Sequence, residues 1–78
     1  MNVEKHGVAF EEAMLAFGDK KRVTREDVRH STSSEKRYFL YGDTGRGIVT
    51  VRFAIRKGNI RIIGAGYWRK GKKLYEQG

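Results

Sequence analysis

The chain has no cysteine and only two histidines. Neither a disulfide framework nor a thiolate metal site is open to it, and His6 and His30 do not make a zinc site by themselves. No apolar run approaches the ~20 residues that a bilayer span needs. The first residues, Met1-Asn2-Val3-Glu4-Lys5, lack the apolar core of a secretory signal. These absences lead us to expect a soluble, cytoplasmic protein with no metal, no cofactor and no membrane partner. At 78 residues the expectation is one domain, 1–78, with a thin core. Partner binding or dimerisation would add stability by mass action.

Acid is scarce in one half only. Residues 1–45 carry eight basic and eight acidic side chains and are net neutral. Residues 46–78 carry nine basic side chains against the single acid Glu76, so the whole net charge of +8 lies there. Segregation of this kind is an electrostatic footprint for a polyanion. A plain solvated surface explains bulk basicity but not its confinement to one half.

Residues 2–6 read as the end of a helix stopped by Gly7. Phe10, Ala13, Met14 and Phe17 follow at i, i+3, i+4 and i+7, one apolar face of a two-turn helix. Glu11 and Glu12 sit early in it, where the helix dipole favours anions, and Gly18 is a plausible stop. This stripe reads as core. Residues 19–36 are polar and turn-rich, with a short edge strand around Lys21–Thr24 and an exposed loop beyond it.

Strand patterns fill the rest. Arg37–Tyr41 is strand-like and 42–47 is a turn. That turn lacks the Gly-Lys-Ser/Thr ending of a P-loop, so it reads as a hairpin connection. Ile48–Arg56 alternates, with Val49, Val51, Phe53 and Ile55 on one face and Thr50, Arg52 and Arg56 on the other. Lys57-Gly58-Asn59 signals a tight hairpin, Ile60–Ala65 is the next strand, and 67–77 reads as a short terminal helix that Gly71 weakens. A two-residue turn, at Lys57-Gly58 or at Gly58-Asn59, puts Ile60 and Ile62 with the apolar face. It puts Arg61 with Arg52 and Arg56, unless a bulge intervenes. Three arginines on one face call for anions nearby. A phosphate suits their planar, bidentate guanidinium groups, whereas a wet antiparallel face explains them without a ligand.

The stretch Asn2-x-x-Lys5-His6-Gly7-Val8-x-Phe10-Glu11-Glu12-Ala13 resembles the start of BrnT-type toxins. Phe17 and Asp19, Glu35-Lys36-Arg37, Gly42, Ile60-Arg61-Ile62-Ile63 and Tyr75-Glu76 extend the resemblance over most of the chain outside the 20–34 loop. It implies an α+β, RelE-like fold: N-terminal helices on a three- to four-stranded antiparallel sheet, with a short C-terminal helix. It also implies metal-independent RNA cleavage and a cognate DNA-binding antitoxin of BrnA type. The assembly would be a homodimer or a toxin–antitoxin hetero-oligomer. Three departures stand out. The family opens with an extra strand before the Asn, where this chain starts. Ser-Ala-Arg after the Ile-Ile pair is replaced by Gly64-Ala65-Gly66, and a following Glu-Arg by Gly71-Lys72 or thereabouts.

Metal-free RNA cleavage needs a group to take the 2′-hydroxyl proton, a group to protonate the leaving 5′-oxygen, and cations at the phosphorane. Arginine stays protonated, so Arg52, Arg56, Arg61 and Arg69 are candidates for charge stabilisation only. His6 titrates nearest neutrality, although a histidine before a helix-ending glycine also serves as a C-terminal cap. Lys5 beside it is a candidate if its cationic surroundings lower its pKa. Glu76 is a candidate base, and Tyr75 a candidate acid or stacking group. The candidate catalytic set is therefore Lys5, His6, Arg61, Arg69, Tyr75 and Glu76. The candidate RNA-binding set is Arg52, Arg56, Arg61, Trp68, Arg69, Lys70, Lys72 and Lys73. Tyr67 and Trp68 either anchor the last helix or stack on unpaired bases. His30 reads as solvated. A non-catalytic module that binds RNA or an antitoxin is the competing reading.

Overall fold

The computed structural model describes residues 8–78. Their order is α1 (Phe10–Phe17), β1 (Val23–Glu26), β2 (Lys36–Asp43), β3 (Ile48–Arg56), β4 (Asn59–Gly66) and α2 (Arg69–Gln77). The four strands form one antiparallel sheet in the order β1-β2-β3-β4. The class is α+β, as expected. One helix precedes the sheet and one follows it; the helix expected at 2–6 lies outside the described residues.

The core lies between α1 and the sheet. Leu40, Val49, Val51, Phe53, Ile62 and Ala65 meet Val8, Ala13 and Ala16 there. Phe53 is flanked by the rings of Phe17 at 5.2 Å and Tyr38 at 5.3 Å. Each large apolar side chain fully removed from water stabilises the fold by about 1.5–3 kcal/mol. Helix α1 is turned only partly from the expected face. Ala13 is buried and Phe17 packs on Phe53 as expected, but Ala16 joins them, while Phe10 and Met14 are 45% and 37% exposed on the β4 side, beside Ile60 and Ile62. Close approach is the reason: the backbone of Ala16 lies against Gly42 of β2, and only small side chains fit at that distance.

The segment after α1 is more ordered than its composition implies. Asp27 N–H donates to Arg37 O at 2.7 Å, Ser31 Oγ donates to Asp27 O at 2.8 Å, and Arg37 N–H donates to Ser31 Oγ at 2.9 Å. These bonds staple the 27–35 loop to the first residues of β2. His30, expected to be solvated, is half-exposed and lies 2.8 Å from the buried Asp27 carboxylate.

The hairpin expectation is met and refined. Arg56 pairs with Asn59, so Lys57-Gly58 is the turn. Both residues have positive φ, 52° and 79°, as a tight two-residue hairpin of this hand requires. Phe53 pairs with Ile62 but Arg52 pairs with Gly64, leaving Ile63 as an extra residue in a bulge. The bulge falls beyond Arg61, so Arg61 opposite Ala54 still shares a face with Arg52 and Arg56. Past it, Gly64 and Gly66 come to lie on that same face, opposite Arg52 and Thr50.

Helix α2 covers one end of the face opposite α1. Gly71 is its buried residue and rests on Thr50 and Tyr41. The glycine that weakens the helix in sequence is what lets it dock.

Candidate nucleic-acid interface

The sheet face that α2 leaves uncovered combines arginine with aromatic rings. Phe39 projects from it on β2, its ring 6.5 Å from that of Tyr41 and 5° from parallel, while Tyr41 itself is buried beneath Gly71 of α2. Arg52 of β3 lies over Phe39, 5.6 Å from the ring centroid. Arg61 is two-thirds exposed on the neighbouring strand. An acid from the other half of the chain reaches this face: Glu35 accepts from Arg37 at 2.9 Å and lies 3.9 Å from Arg61. Arg52, Arg56 and Arg61 therefore share one face as expected, and Glu35 offsets part of the charge at Arg61.

Trp68 marks the border between two clefts. One is lined by Phe39, Tyr41, Thr50, Trp68, Lys70 and Gly71. The other is open, about 580 Å³, and lined by the β2–β3 turn and the start of α2: Arg46, Gly47, Ile48, Tyr67, Trp68, Arg69 and Lys72. A β-carbon on Gly66 would lie 2.6 Å from the Trp68 indole, so that ring occupies the space a side chain at 66 would need. Arg46, Arg69 and Lys72 bring positive charge to the cleft beside that ring.

The Arg46 cleft has a built wall. Glu12 of α1 is its anchor: Oε1 accepts from the backbone N–H of Ala9 at 3.3 Å, while Oε2 accepts from Tyr67 at 2.5 Å and from Arg46 Nη1 at 2.9 Å. The Tyr67 hydroxyl also lies 2.8 Å from Thr44 Oγ1, and the Arg46 guanidinium sits 5.1 Å from the centre of the Tyr67 ring. The Tyr67 hydrogen bond, then the Ala9 N–H and Arg46, hold the Glu12 carboxyl below its ordinary range. Burial, with Glu12 next, pushes the Tyr67 phenol up.

The remaining candidates are more dispersed. Arg69 and Lys72 line the Arg46 cleft, Lys70 lines the cleft on the other side of Trp68, and Lys73 and Glu76 are exposed on α2 and line neither. Arg56 is exposed at the hairpin end of the sheet. The Tyr75 hydroxyl donates to Asp19 Oδ2 at 2.6 Å, an oxygen that also accepts from Asp43 N–H at 2.8 Å. That carboxylate pushes the Tyr75 phenol up to about 12, so Tyr75 ties α2 to the end of α1 and is a poor acid near neutrality. Lys5 and His6 lie outside the described residues. Sequence reasoning passed over Arg46, Phe39 and Glu12. Arg46 was legible only as one more charge in the basic half, because nothing local to a turn says which cleft it will border.

A family model described as the ribonuclease toxin BrnT of type II toxin–antitoxin systems matches residues 1–71. The chain belongs to the BrnT family. Among curated proteins none matches it. Membership brings the ribonuclease-toxin class and an antitoxin as partner. In this BrnT chain the matched region takes in the whole sheet and Trp68 and ends at Gly71, the residue that seats α2. Among the described residues no group of three or more His, Asp or Glu side chains is placed to hold a metal ion, and no helix is long and apolar enough to cross a membrane.

Proposed function

We propose that this BrnT-family chain is a metal-independent endoribonuclease of the cytoplasm that grips single-stranded RNA across Trp68. The observation that carries this reading is the placement of an indole, 39% exposed, between two clefts that each bring cations to it. A base stacked on an aromatic ring contributes about 1–3 kcal/mol, and the flanking Arg69, Lys72, Lys70 and Arg46 suit the phosphates on either side. Arg52 over Phe39, with Arg61 beyond it, extends the track along the sheet.

In the reaction the 2′-oxygen bonds to phosphorus as the P–O5′ bond breaks, leaving a 2′,3′-cyclic phosphate and a 5′-hydroxyl. The 2′-hydroxyl proton passes to a base and O5′ takes one from an acid. Lys5 and His6 are the groups proposed to move these protons; Glu76, exposed on α2, lines neither cleft. Arginines stabilise the phosphorane by charge and hydrogen bonding alone. This chain is proposed to be RelE-like in fold, and its antitoxin to be a DNA-binding protein of BrnA type.

Induction in a bacterial host tests the reading, with wild type beside Arg69→Ala and Trp68→Ala and total RNA run from each culture. Growth arrest with RNA degradation in the wild type, relieved in either folded variant, supports it. A second reading, a binding module that cuts nothing, is favoured by the replacement of Ser-Ala-Arg with Gly64-Ala65-Gly66. It predicts unaffected growth and intact RNA, while the purified protein still binds RNA at low salt.

A further inference from the structure

We propose that the Arg46 cleft receives a phosphate of the bound RNA at the point of cleavage, and that Glu12 is a positioning residue which fixes the Arg46 guanidinium for it. The proposal rests on the ribonuclease reading above. Arg46 is a long side chain at a turn, two-thirds exposed. An arginine in such a place samples many rotamers unless something holds it. Two contacts hold this one: the Glu12 carboxylate at 2.9 Å through Nη1, and the face of Tyr67 beneath its guanidinium. Tyr67 is itself pinned by the same Glu12 oxygen and by Thr44. One carboxylate therefore sets both the cation and the ring it rests on.

The anchor is stiff for a reason that lies in the backbone. Glu12 is the third residue of α1 and its other oxygen returns to the N–H of Ala9, half of a capping box. Its side chain is mostly covered, at 19% exposure. With one Nη1 donor committed to Glu12, the guanidinium keeps further N–H donors for an anion in the cleft. Arg69 and Lys72 line the same cleft, so the anion would meet three cations and a tyrosine wall. Glu12 itself need not touch RNA. It acts through Arg46, and the loss of its charge should matter only while Arg46 is present.

A double-mutant cycle on RNA cleavage tests this. The substrate is a short 5′-fluorescein single-stranded RNA, and binding is followed separately with the same sequence carrying 2′-deoxyriboses. Wild type, Glu12→Gln, Arg46→Ala and the double variant are compared. Glu12→Gln keeps the side-chain length and an acceptor for Ala9. Arg46→Ala should lower kcat by about 10²–10³-fold, the usual loss for one donor to a developing oxyanion. Glu12→Gln should lower kcat by roughly ten- to a hundredfold through misplacement, with KM nearly unchanged in the folded variant. In the Arg46→Ala background its further effect should be under about threefold, since the two residues act as a unit. Tyr67→Phe, run through the same cycle, should show the same non-additivity and decides the matter if Glu12→Gln does not fold.

Equal losses from Glu12→Gln with and without Arg46 would overturn the positioning role while leaving the ribonuclease reading in place. So would unchanged kcat in Arg46→Ala beside a strong loss in Arg69→Ala. Wild-type protein that binds the deoxy strand and never cuts the RNA overturns the ribonuclease reading and this inference with it.

Discussion

At Gly42 a β-carbon would sit 2.6 Å from the Ala16 carbonyl oxygen and 2.8 Å from its Cα. Both are backbone atoms, so a whole helix would have to move. Gly42→Ala is expected to destabilise by about 1–3 kcal/mol, the range for overpacking a tight core, read as a lower denaturant midpoint with an unchanged slope. Gly71→Ala meets the buried Thr50 hydroxyl at 1.9 Å and the Tyr41 ring at 3.1 Å. A helix-favouring substitution should therefore lower stability here. Far-UV dichroism and a melt together check it: the sign should be the reverse of an exposed helical glycine, where alanine is worth roughly 0.5–1 kcal/mol. Each glycine is visible in the sequence, but the atom it must admit is not, since that atom belongs to a residue 21 or more positions away.

Among elements, α2 is the most dependent on others. It touches β2 and β3 through Gly71, and Tyr75 ties it to Asp19 beyond α1. Trp68 at its start is seated over Gly66 of β4. A methyl group on Gly66 should unseat the indole without reaching the core. Gly66→Ala is expected to shift Trp fluorescence and to weaken RNA binding by about the 1–3 kcal/mol of one lost base stack, with little change in melting. If affinity is unaffected while the fluorescence moves, Trp68 is not a stacking platform. The hairpin between β3 and β4 was readable from parity alone, because side-chain alternation leaves two registers and both put Arg61 with Arg52. The Ile63 bulge was not readable, as nothing in Ile-Arg-Ile-Ile-Gly marks which residue will be left unpaired. The partial turn of α1 escaped for a similar reason: its apolar stripe admits several faces, and Gly42 selects the one with alanines.

For the molecule as a whole, two tyrosine–carboxylate bonds join the C-terminal segment to the N-terminal helix region, Tyr67 to Glu12 and Tyr75 to Asp19. Tyr67 and Tyr75 hold those carboxyls below their ordinary values of 4.5 and 3.8. In that range the unfolded chain binds more protons than the folded one. The stabilisation is present above the ordinary values and is lost as pH falls through the lowered ones. Tyr75 acts at the other end of the scale. Its raised pKa gives a contribution present below 10.0 and lost as pH rises through about 12. Denaturant midpoints at pH 7 and pH 3 should therefore differ more for the wild type than for Tyr67→Phe/Tyr75→Phe; equal differences would show that the two bonds carry no pH dependence. Charge is the other global property. If RNA lies along the Trp68 face, each phosphate contact should add about −0.7 to the slope of log affinity against log salt. Arg69→Ala should make that slope shallower by roughly one such step, whereas Trp68→Ala should lower affinity and leave it unchanged.

Several properties belong to the sequence alone. Charge segregation follows from counting residues, the α+β class from two distinct hydrophobic periods, and the Arg52–Arg56–Arg61 face from alternation along a hairpin. The Lys-His-Gly-Val-x-Phe-Glu-Glu-Ala stretch carries the family. These are local or additive quantities, so they survive without coordinates. What tertiary structure decided is which distant groups meet. Glu35 reaches Arg61, Trp68 takes the space above Gly66, and Glu12 grips Arg46 and Tyr67 from 34 and 55 residues away. Such meetings depend on how closely α1 and α2 approach the sheet. That distance is set by small residues whose role appears only when both sides of the contact are in place.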